Sequence, residues 1–405
     1  MIRSVLAAAV VALTVGSAAV AGTSPATAAA DVRYGVGTTS LAAPAAGGRY
    51  LYVAPTGTDS YHQYSRIPCL RDPSQQPPYQ DACPEPTAAA PLRTVQAAVR
   101  AARAGDVIVV RAGTYTEAVG WGLTRGTAAR PIVLQAAPGE RVQIAGTLIM
   151  SSPDHWTIQG IRFVHDASIQ KSGQAVVLLS GGDGWRFLNN EVTGSTGVAN
   201  LLVNATTASG NADTLRAAAP RDYQIAGNCI HDNRATGTQG TDHNIYLMSS
   251  IYSTGGVIER NLIAGAARGS NIKAAGSTPS TASGSPRNVA IRYNTMLAAA
   301  SGLTIGLQAQ AVESQYNVIA MPAGSGPYDG AVKTYQLAAP GTNSAKDSLL
   351  SGYARPLSED YGATAHIFTA RNDTTTRFTY TGSVANCTAR PASAAVLAKY
   401  GQYAG

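Results

Sequence analysis

Charged side chains, and lysines above all, are scarce in this sequence. Asp, Glu, Lys and Arg make up 13% of the 405 residues, and the 30 basic residues include only five lysines: Lys171, Lys273, Lys333, Lys346 and Lys399. The basic residues form no block, whereas nucleic-acid binding needs a clustered basic patch, so we expect no nucleic-acid partner. The mildly basic formal net charge of +7 instead suits an acidic substrate.

Long hydrophobic runs are missing after the N-terminus. Residues 5–15 form an apolar run behind Arg3, followed by small residues. This is the pattern of a secretory signal peptide, and the run is too short to span a membrane. Cleavage fits after Ala21 or after Ala30, and we favour a signal peptide over residues 1–30. The sequence therefore predicts a secreted protein with no membrane span.

Cysteine is rare as well, with four residues in the chain. Cys69 and Cys83 flank a proline-rich loop and are predicted to pair, which would stabilise the fold by about 3 kcal/mol. Cys229 and Cys387 remain, and a bond between them would pin the C-terminal tail onto the body, but the sequence leaves that pairing open. The Cys and His spacings match no zinc site, and the sequence leaves the metal, if any, unknown.

Helical periodicity is nearly absent between residues 106 and 335, and a short repeat takes its place. The repeat reads apolar, two residues, Asn, one residue, apolar, as in "IERNLI". Its marked positions lie 23 to 38 residues apart, at Ile161, Asn190, Asn228, Asn261, Asn294 and Asn317. Asn tolerates the left-handed backbone of a tight corner, and its amide can bond to the Asn of the next unit, so we expect an Asn ladder.

A second short apolar strand follows most copies of the repeat. These strands read "AVVLLS", "NLLVN", "HNIYLM", "SNIKAA", "GLTIGL" and "AVKTY". Short strands without crossover helices, an irregular period and Asn at one register predict an all-β, right-handed parallel β-helix. A β-sandwich is the alternative fold, but its strands rarely keep Asn at one register through five units.

The ends of the stack carry different patterns. Leu92, Val95, Val99 and Ala102 share one helical face, which predicts an amphipathic helix capping the N-terminal end. We therefore expect four segments. They are the signal peptide, a flexible N-terminal segment over 31–49, a β-helix domain over 50–337, and a C-terminal tail and cap over 338–405.

Three stretches near the start of the β-helix carry a family resemblance. "YVAPTGTDS", "TVQAAVRAARAGDVIVVRAGTYTE" and "RPIVLQAAPGERVQIAG" resemble the entry to the pectate-lyase-like right-handed parallel β-helix superfamily. The order of helix, strand, "GTY" and "PI.L.A" is nearest the alginate lyase and chondroitinase B branch of polysaccharide lyases. The superfamily also contains hydrolases, esterases, epimerases and binding proteins, so the resemblance specifies the fold more narrowly than the reaction.

The resemblance also implies roles for particular residues. In that branch a strand lysine is the catalytic base and an arginine on the next coil assists, which points to Lys273 and, by spacing, to Arg292. The branch places acidic calcium ligands shortly before the lysine, and here Ala266 and Arg268 stand at those positions. Calcium is the metal to test for, and Arg268 is an alternative partner for a substrate carboxylate.

Alignment of the second strands places two lysines in one outward row. Ile245, Ile272, Leu303 and Val332 align as inward residues, so the residues after them should form one outward row: Tyr246, Lys273, Thr304 and Lys333. By the same alternation, Asn244 and Asn271 should share this outer face one step earlier, and Tyr335 one step later. Amines and amides bind carboxylates and hydroxyls, and aromatic rings stack on sugars.

These residues suggest an enzyme acting on a polysaccharide. Lysine becomes a base near neutral pH when burial or nearby positive charge lowers its pKa. We therefore predict a polysaccharide lyase, monomeric, that cleaves an acidic, uronate-containing polymer by β-elimination. Its base would be Lys273, its carboxylate partner Arg268 or Arg292, its proton donor His243 or Tyr246, and its substrate contacts Asn244, Asn271, Thr304, Lys333 and Tyr335.

The alternatives are a glycan-binding protein without activity, and a hydrolase or epimerase on the same fold. Hydrolysis by paired aspartates is disfavoured because the sequence has no "NTD" or "DD" motif.

Overall fold

The computed structural model describes most of the chain beyond the predicted signal peptide. The described residues are 34–59, 86–171, 173–207, 209–234, 242–276, 284–322, 330–337, 342–360 and 367–404. The predicted signal peptide over 1–30 and the predicted pair Cys69 and Cys83 lie outside the described residues.

The chain winds into stacked coils of short parallel strands, and the strands line up in three walls. The first wall is an 11-stranded sheet made of β1 Tyr50–Val53, β2 Val107–Val110, β4 Ile132–Ala136, β6 Trp156–Gln159, β9 Arg186–Leu188, β12 Gln224–Ala226, β15 Gly256–Glu259, β18 Arg287–Arg292, β21 Gln310–Gln315, β24 Asn343–Lys346 and β27 Ile367–Ala370.

The second and third walls belong to one sheet that is continuous through the long strand β5 Val142–Ser151, which also pairs with β3 Gly113–Val119. The second wall contains β7 Arg162–Val164, β10 Glu191–Thr193, β13 Cys229–Asn233, β16 Leu262–Ala266, β19 Thr295–Leu297, β22 Val318–Ala320 and β25 Leu349–Ser351. The third wall contains β8 Val177–Ser180, β11 Ala199–Asn204, β14 His243–Met248, β17 Ser270–Ala274, β20 Ser301–Gly306, β23 Gly330–Tyr335 and β26 Leu357–Asp360. This order of parallel strands is that of a parallel β-helix, as predicted.

The core lies inside the coils, where side chains of equivalent strands stack on one another. On the first wall the register aligns Ile158, Phe187, Ile225, Ile258 and Ile291. All five side chains are fully buried. Burying one such side chain stabilises the fold by about 1.5–3 kcal/mol, so the stack itself is the main source of stability.

The Asn ladder forms as predicted at the corner between the first and second walls. The Oδ1 atoms of Asn228, Asn261 and Asn294 each accept the backbone N–H of the ladder residue one coil earlier, over 2.8–3.1 Å. The ladder begins at Ile161, whose N–H donates to Asn190, and it continues past Asn317 through the Ser348 hydroxyl. Each buried amide therefore has partners, as burial requires.

The left-handed backbone lies one residue before each ladder position rather than on the Asn itself. Positive φ angles occur at Gly160, Asn189, Gly227, Arg260, Tyr293, Tyr316, Asp347 and Arg371. The expectation that the ladder Asn adopts this conformation was therefore wrong. The Asn is needed for its amide, and the corner residue before it varies because it faces outward.

Three short helices accompany the strands in the described part of the chain: α1 Val95–Ala101, α2 Ala212–Ala218 and α3 Ala394–Lys399. The predicted capping helix is α1, which begins where the Thr94 side chain accepts the Ala97 N–H over 3.2 Å. Its buried residues Val95, Ala98 and Val99 join the core at the first coils. No helix in the described ranges is long and apolar enough to cross a membrane.

The β-helix extends further than the predicted boundary at residue 337. Strands β24, β25, β26 and β27 continue the three walls as far as Ala370. The segment expected to be flexible is also packed where it is described. Tyr34 is only 5% exposed and Val36 forms a bridge to Arg141.

The C-terminal segment covers the second wall. The outward residues Leu262, Leu297, Val318 and Leu349 are buried, and they pack with Phe378, Ala389, Val396 and Tyr400. A hairpin of β28 Tyr380–Thr381 and β29 Arg390–Pro391 lies in this segment, and Cys387 is disulfide-bonded to Cys229 across 158 positions. The segment therefore lies along the side of the stack, which differs from the expected terminal cap.

Candidate active site on the third wall

The predicted outward row forms on the third wall. Tyr246 pairs with Lys273, Lys273 with Thr304, and Thr304 with Lys333 in the strand register. Their inward neighbours align as expected, beginning with Ile245 and Ile272. The sequence therefore predicted correctly both the wall and the register of the lysine row, which we define as Tyr246, Lys273, Thr304 and Lys333.

Lys273 sits in a setting that favours its neutral form. The side chain is half-buried, and its Nζ lies 4.7 Å from the ring centroid of Tyr246. Burial, and next the positive charge of Lys333, lower the pKa of Lys273 to about 8. A lysine with a pKa of about 8 supplies a useful fraction of free amine in weakly alkaline solution, as a general base requires.

Two tyrosines flank the lysine with their hydroxyls protonated. Tyr246 is 8% exposed, and its hydroxyl donates to the Gly276 carbonyl over 3.2 Å. Burial raises the pKa of Tyr246 to about 12. Burial, and next the proximity of Tyr246, raise the pKa of Tyr335 well above its ordinary value. Both phenols therefore keep their protons over the physiological range and can donate them.

Gly306 fixes where the Tyr335 ring lies. A Cβ built on Gly306 would stand 2.2 Å from the Tyr335 Cε1, so the ring occupies the space above this glycine. Tyr335 is the register partner of Gly306 on the next coil. The ring therefore lies against the wall and reaches back toward the coil of Lys273.

His243 lies behind Tyr246 rather than in the open row. Its side chain is buried, its ring centroid is 5.0 Å from that of Tyr246, and its Nδ1 accepts the Ser270 N–H over 3.0 Å. With Nδ1 as acceptor, the neutral ring carries its proton on Nε2. This position suits support of Tyr246 and corrects the expectation of His243 as a proton donor to substrate.

Arg292 does not meet Lys273 as expected. Arg292 belongs to β18 on the first wall, where its Nε pairs with Glu259 over 2.9 Å. The interpretation of Arg292 as the partner of Lys273 was therefore wrong. Arg268 is exposed on the turn before β17, where its backbone N–H donates to the Asp242 carboxylate over 3.0 Å. The charge that acts on Lys273 is that of Lys333.

Asn244 and Asn271 are also corrected, because they form a second ladder inside the corner between the second and third walls. Asn200 donates to Asn244 over 2.9 Å and Asn244 to Asn271 over 2.8 Å, and all three are fully buried. They hold the corner and cannot contact a substrate. Thr304 is in the row but only 4% exposed, with its hydroxyl 2.7 Å from that of Ser270, so it forms the floor between the lysines.

The described residues around the lysine row do not fit a calcium site. Calcium needs six or more oxygen ligands, usually with several carboxylates. Ala266 and Arg268 occupy the positions before the strand, and the nearby carboxylate of Asp242 is buried and bonded to a backbone N–H. Across the described ranges the one group with metal-ligand spacing is Cys229, His231 and Cys387, whose sulfurs are joined in a disulfide.

Sequence reasoning missed the aliphatic continuation of the row. Leu202 is the register partner of Tyr246, and Leu178 is the partner of Leu202. Both were treated as ordinary strand residues, although the alternation that placed Lys273 outward applies equally to them.

Comparison with known proteins agrees with this architecture. No protein-family model matches the chain. A stretch of 111 residues, 27% of the chain, is 34% identical to pectate lyase PEL9 of Emericella nidulans and spans 25% of that protein. XylC in complex with xylose has a TM-score of 0.52 at 13% identity, over 82% of this chain and 71% of XylC. An alginate lyase from Paenibacillus sp. str. FPU-7 has a TM-score of 0.44 at 14% identity, over 80% of this chain and 99% of the lyase. The sheet order confirms the predicted parallel β-helix fold, and XylC shares this fold.

Proposed function

We propose that this protein is a secreted polysaccharide lyase that cleaves an acidic, uronate-containing polysaccharide by β-elimination on the third wall. The observation that carries the proposal is Lys273, a half-buried amine 4.7 Å from the Tyr246 ring and in register with a second lysine. The stretch shared with a pectate lyase supports the same reaction class.

The neutral amine of Lys273 is the base. It removes the proton from the carbon next to the uronate carboxylate, and the electron pair of that C–H bond becomes a new C=C bond. The bond from the adjacent carbon to the glycosidic oxygen then breaks, so one chain becomes two without addition of water. Lys333 lies two coils away, about 10 Å along the stack, and its cationic side chain binds the carboxylate of a neighbouring uronate unit.

The leaving oxygen takes a proton from a tyrosine. Tyr335 is the more exposed of the two phenols, and Gly306 leaves room for its ring beside the row. The Tyr246 ring centroid lies 4.7 Å from the Lys273 Nζ, so the ring packs against the amine and helps to position it. Return of the proton from Lys273 to Tyr335 then restores both groups for the next cycle. Arg268, exposed at the edge of the wall, contacts the polymer outside the reacting unit.

The groups along the row favour elimination over hydrolysis. Hydrolysis of a glycoside uses two opposed carboxyl groups, while the described side chains of the row are two amines, a phenol and a hydroxyl. The Cys229–Cys387 disulfide supports the secreted location, because such bonds persist in oxidising compartments.

The test is a panel of pectate, alginate and glycosaminoglycans, followed both by the near-ultraviolet absorbance of unsaturated uronate and by new reducing ends. We expect absorbance with one of these polymers, with no requirement for calcium. Lys273→Gln should lower the rate by about 10²–10⁴-fold. The matched control is Lys346→Gln, which changes a half-exposed lysine on the first wall and should leave the rate unchanged.

Two results would overturn the proposal. Reducing ends without ultraviolet absorbance would indicate a hydrolase. Retention of a polymer by the wild-type protein without any product would indicate a glycan-binding protein.

A further inference from the structure

The lysine row continues toward the N-terminal coils as a strip of aliphatic side chains. Ile149 pairs with Leu178, Leu178 with Leu202, and Leu202 with Tyr246 in the strand register. All three aliphatic side chains are half-exposed. We call Ile149, Leu178 and Leu202 the apolar strip.

The neighbours of the strip are apolar as well. Leu202 packs beside Ala175, Ala199 and Tyr246, and the half-buried Val198 and Met248 lie in the same cluster. A contiguous apolar surface that adjoins convergent polar groups is typical of a ligand site. On the second wall, in contrast, the outward leucines are buried beneath the C-terminal segment.

The strip and the lysine row form one track along the stack. Strands of successive coils lie about 4.8 Å apart, which is close to the length of one sugar unit in an extended chain. A polysaccharide laid along the track therefore places about one unit on each coil. Units at one end meet amines, and units at the other end meet aliphatic side chains.

We infer that the substrate is a mixed polymer, in which the units at Lys273 and at Lys333 are charged uronates and the units at Leu202 and Leu178 are uncharged and carry a methyl group. The inference rests on the proposed function. The methyl group can belong to a methyl ester, which removes the charge of a uronate, or to a neutral 6-deoxy sugar. A bare carboxylate over the strip would lose hydration without gaining a partner from the leucines, which disfavours a fully ionised chain.

The experiment measures binding separately from cleavage. The full-length Lys273→Gln protein is titrated calorimetrically with galacturonate oligomers of equal length, in an unmodified form and in two modified forms. One modified form is partly methyl-esterified, and the other alternates galacturonate with a 6-deoxyhexose. We expect one modified form to bind about fourfold more tightly for each methyl group buried.

A matched pair of variants locates the effect. In the same Lys273→Gln background, Leu202→Asn should abolish the preference for the modified oligomer. Leu188→Asn alters a half-exposed strand leucine on the first wall and should keep the preference. Equal thermal unfolding midpoints would show that both variants fold.

The outcomes separate the two claims. If every modified form binds no more tightly than its parent, or if the preference survives Leu202→Asn, the inference is wrong even when unsaturated product forms. If the preference appears and depends on Leu202 but the wild-type protein forms no unsaturated product, the proposed reaction fails and the strip remains a binding surface.

Discussion

The second and third walls belong to the same sheet but have different outer surfaces. On the second wall, Leu262, Val318 and Leu349 face outward and are buried under the C-terminal segment. On the third wall, Lys273 and Lys333 face outward and are only half-buried. One coil geometry therefore supports two tasks, since the covered wall adds apolar burial while the open wall presents polar groups. Substitutions on the two walls test this difference between a covered wall and an open one.

The largest effect on stability should come from the disulfide that holds the cover on the second wall. Cys387→Ala, or reduction of the bond with Cys229, should lower the free energy of unfolding by about 2–5 kcal/mol, because the bond closes a long loop. Denaturant unfolding measures the loss. Cleavage at 25 °C should persist, and its disappearance in the folded variant would mean that the second wall takes part in the reaction.

A pair of leucines compares the two walls directly. Leu262→Ala should cost about 2–5 kcal/mol, because this side chain is fully buried beneath the C-terminal segment. Leu202→Ala should cost markedly less, since its side chain is half-exposed on the open wall. Chemical denaturation of both variants measures the difference. Equal losses would show that the third wall is also covered.

The pH dependence of cleavage tests the charges of the open wall. Because Lys273 must be neutral to act, kcat/KM should rise as the pH passes about 8 and then level off. Lys333→Gln removes a positive charge that lowers the pKa of Lys273, so the rise should move to higher pH. The move should be smaller than the full difference between 10.5 and about 8, because burial is the larger cause. An unchanged pH profile in this variant would show that the charge of Lys333 does not affect the pKa of the catalytic base.

The smallest effect is expected at His231 on the second wall. Burial lowers its pKa, but hydrogen bonds with Asp232 and Glu191 outweigh burial and raise it above 6.5. A raised pKa stabilises the fold fully below 6.5, and this stabilisation is lost as the pH rises through the folded-state value. The thermal midpoint of His231→Gln should therefore fall less between pH 6 and about 8.5 than that of the wild type. Parallel curves for the two proteins would contradict this.

Much of the fold could be predicted because every coil repeats the same pattern of an Asn at one corner and alternating inward and outward side chains. The Asn ladder at Asn190 to Asn317 and the inward Ile245 and Ile272 followed from simple periodicity, and so did the lysine row. Alternation failed at Asn244, because the chain turns a corner there and the side chain points inward. A residue two positions before an outward tyrosine need not face outward when a bend lies between them.

The parts that could not be predicted depend on which wall a residue joins and on distant segments. Arg292 lies one coil after Lys273, but spacing alone cannot tell that its strand belongs to the first wall. The cover on the second wall comes from residues far along the chain, so Leu262 and Val318 looked like ordinary strand residues. Only the stacking of the coils makes Lys333 the charge that acts on Lys273.

The bond between Cys229 and Cys387 has a consequence for the order of assembly. Its two sulfurs are 158 positions apart, and several complete coils lie between them in the chain. Those coils must be synthesised and wound before Cys387 can reach Cys229 in its native position. Formation of this native disulfide therefore indicates that the intervening coils have already formed. A partly folded chain would still carry Cys229 and Cys387 as free thiols.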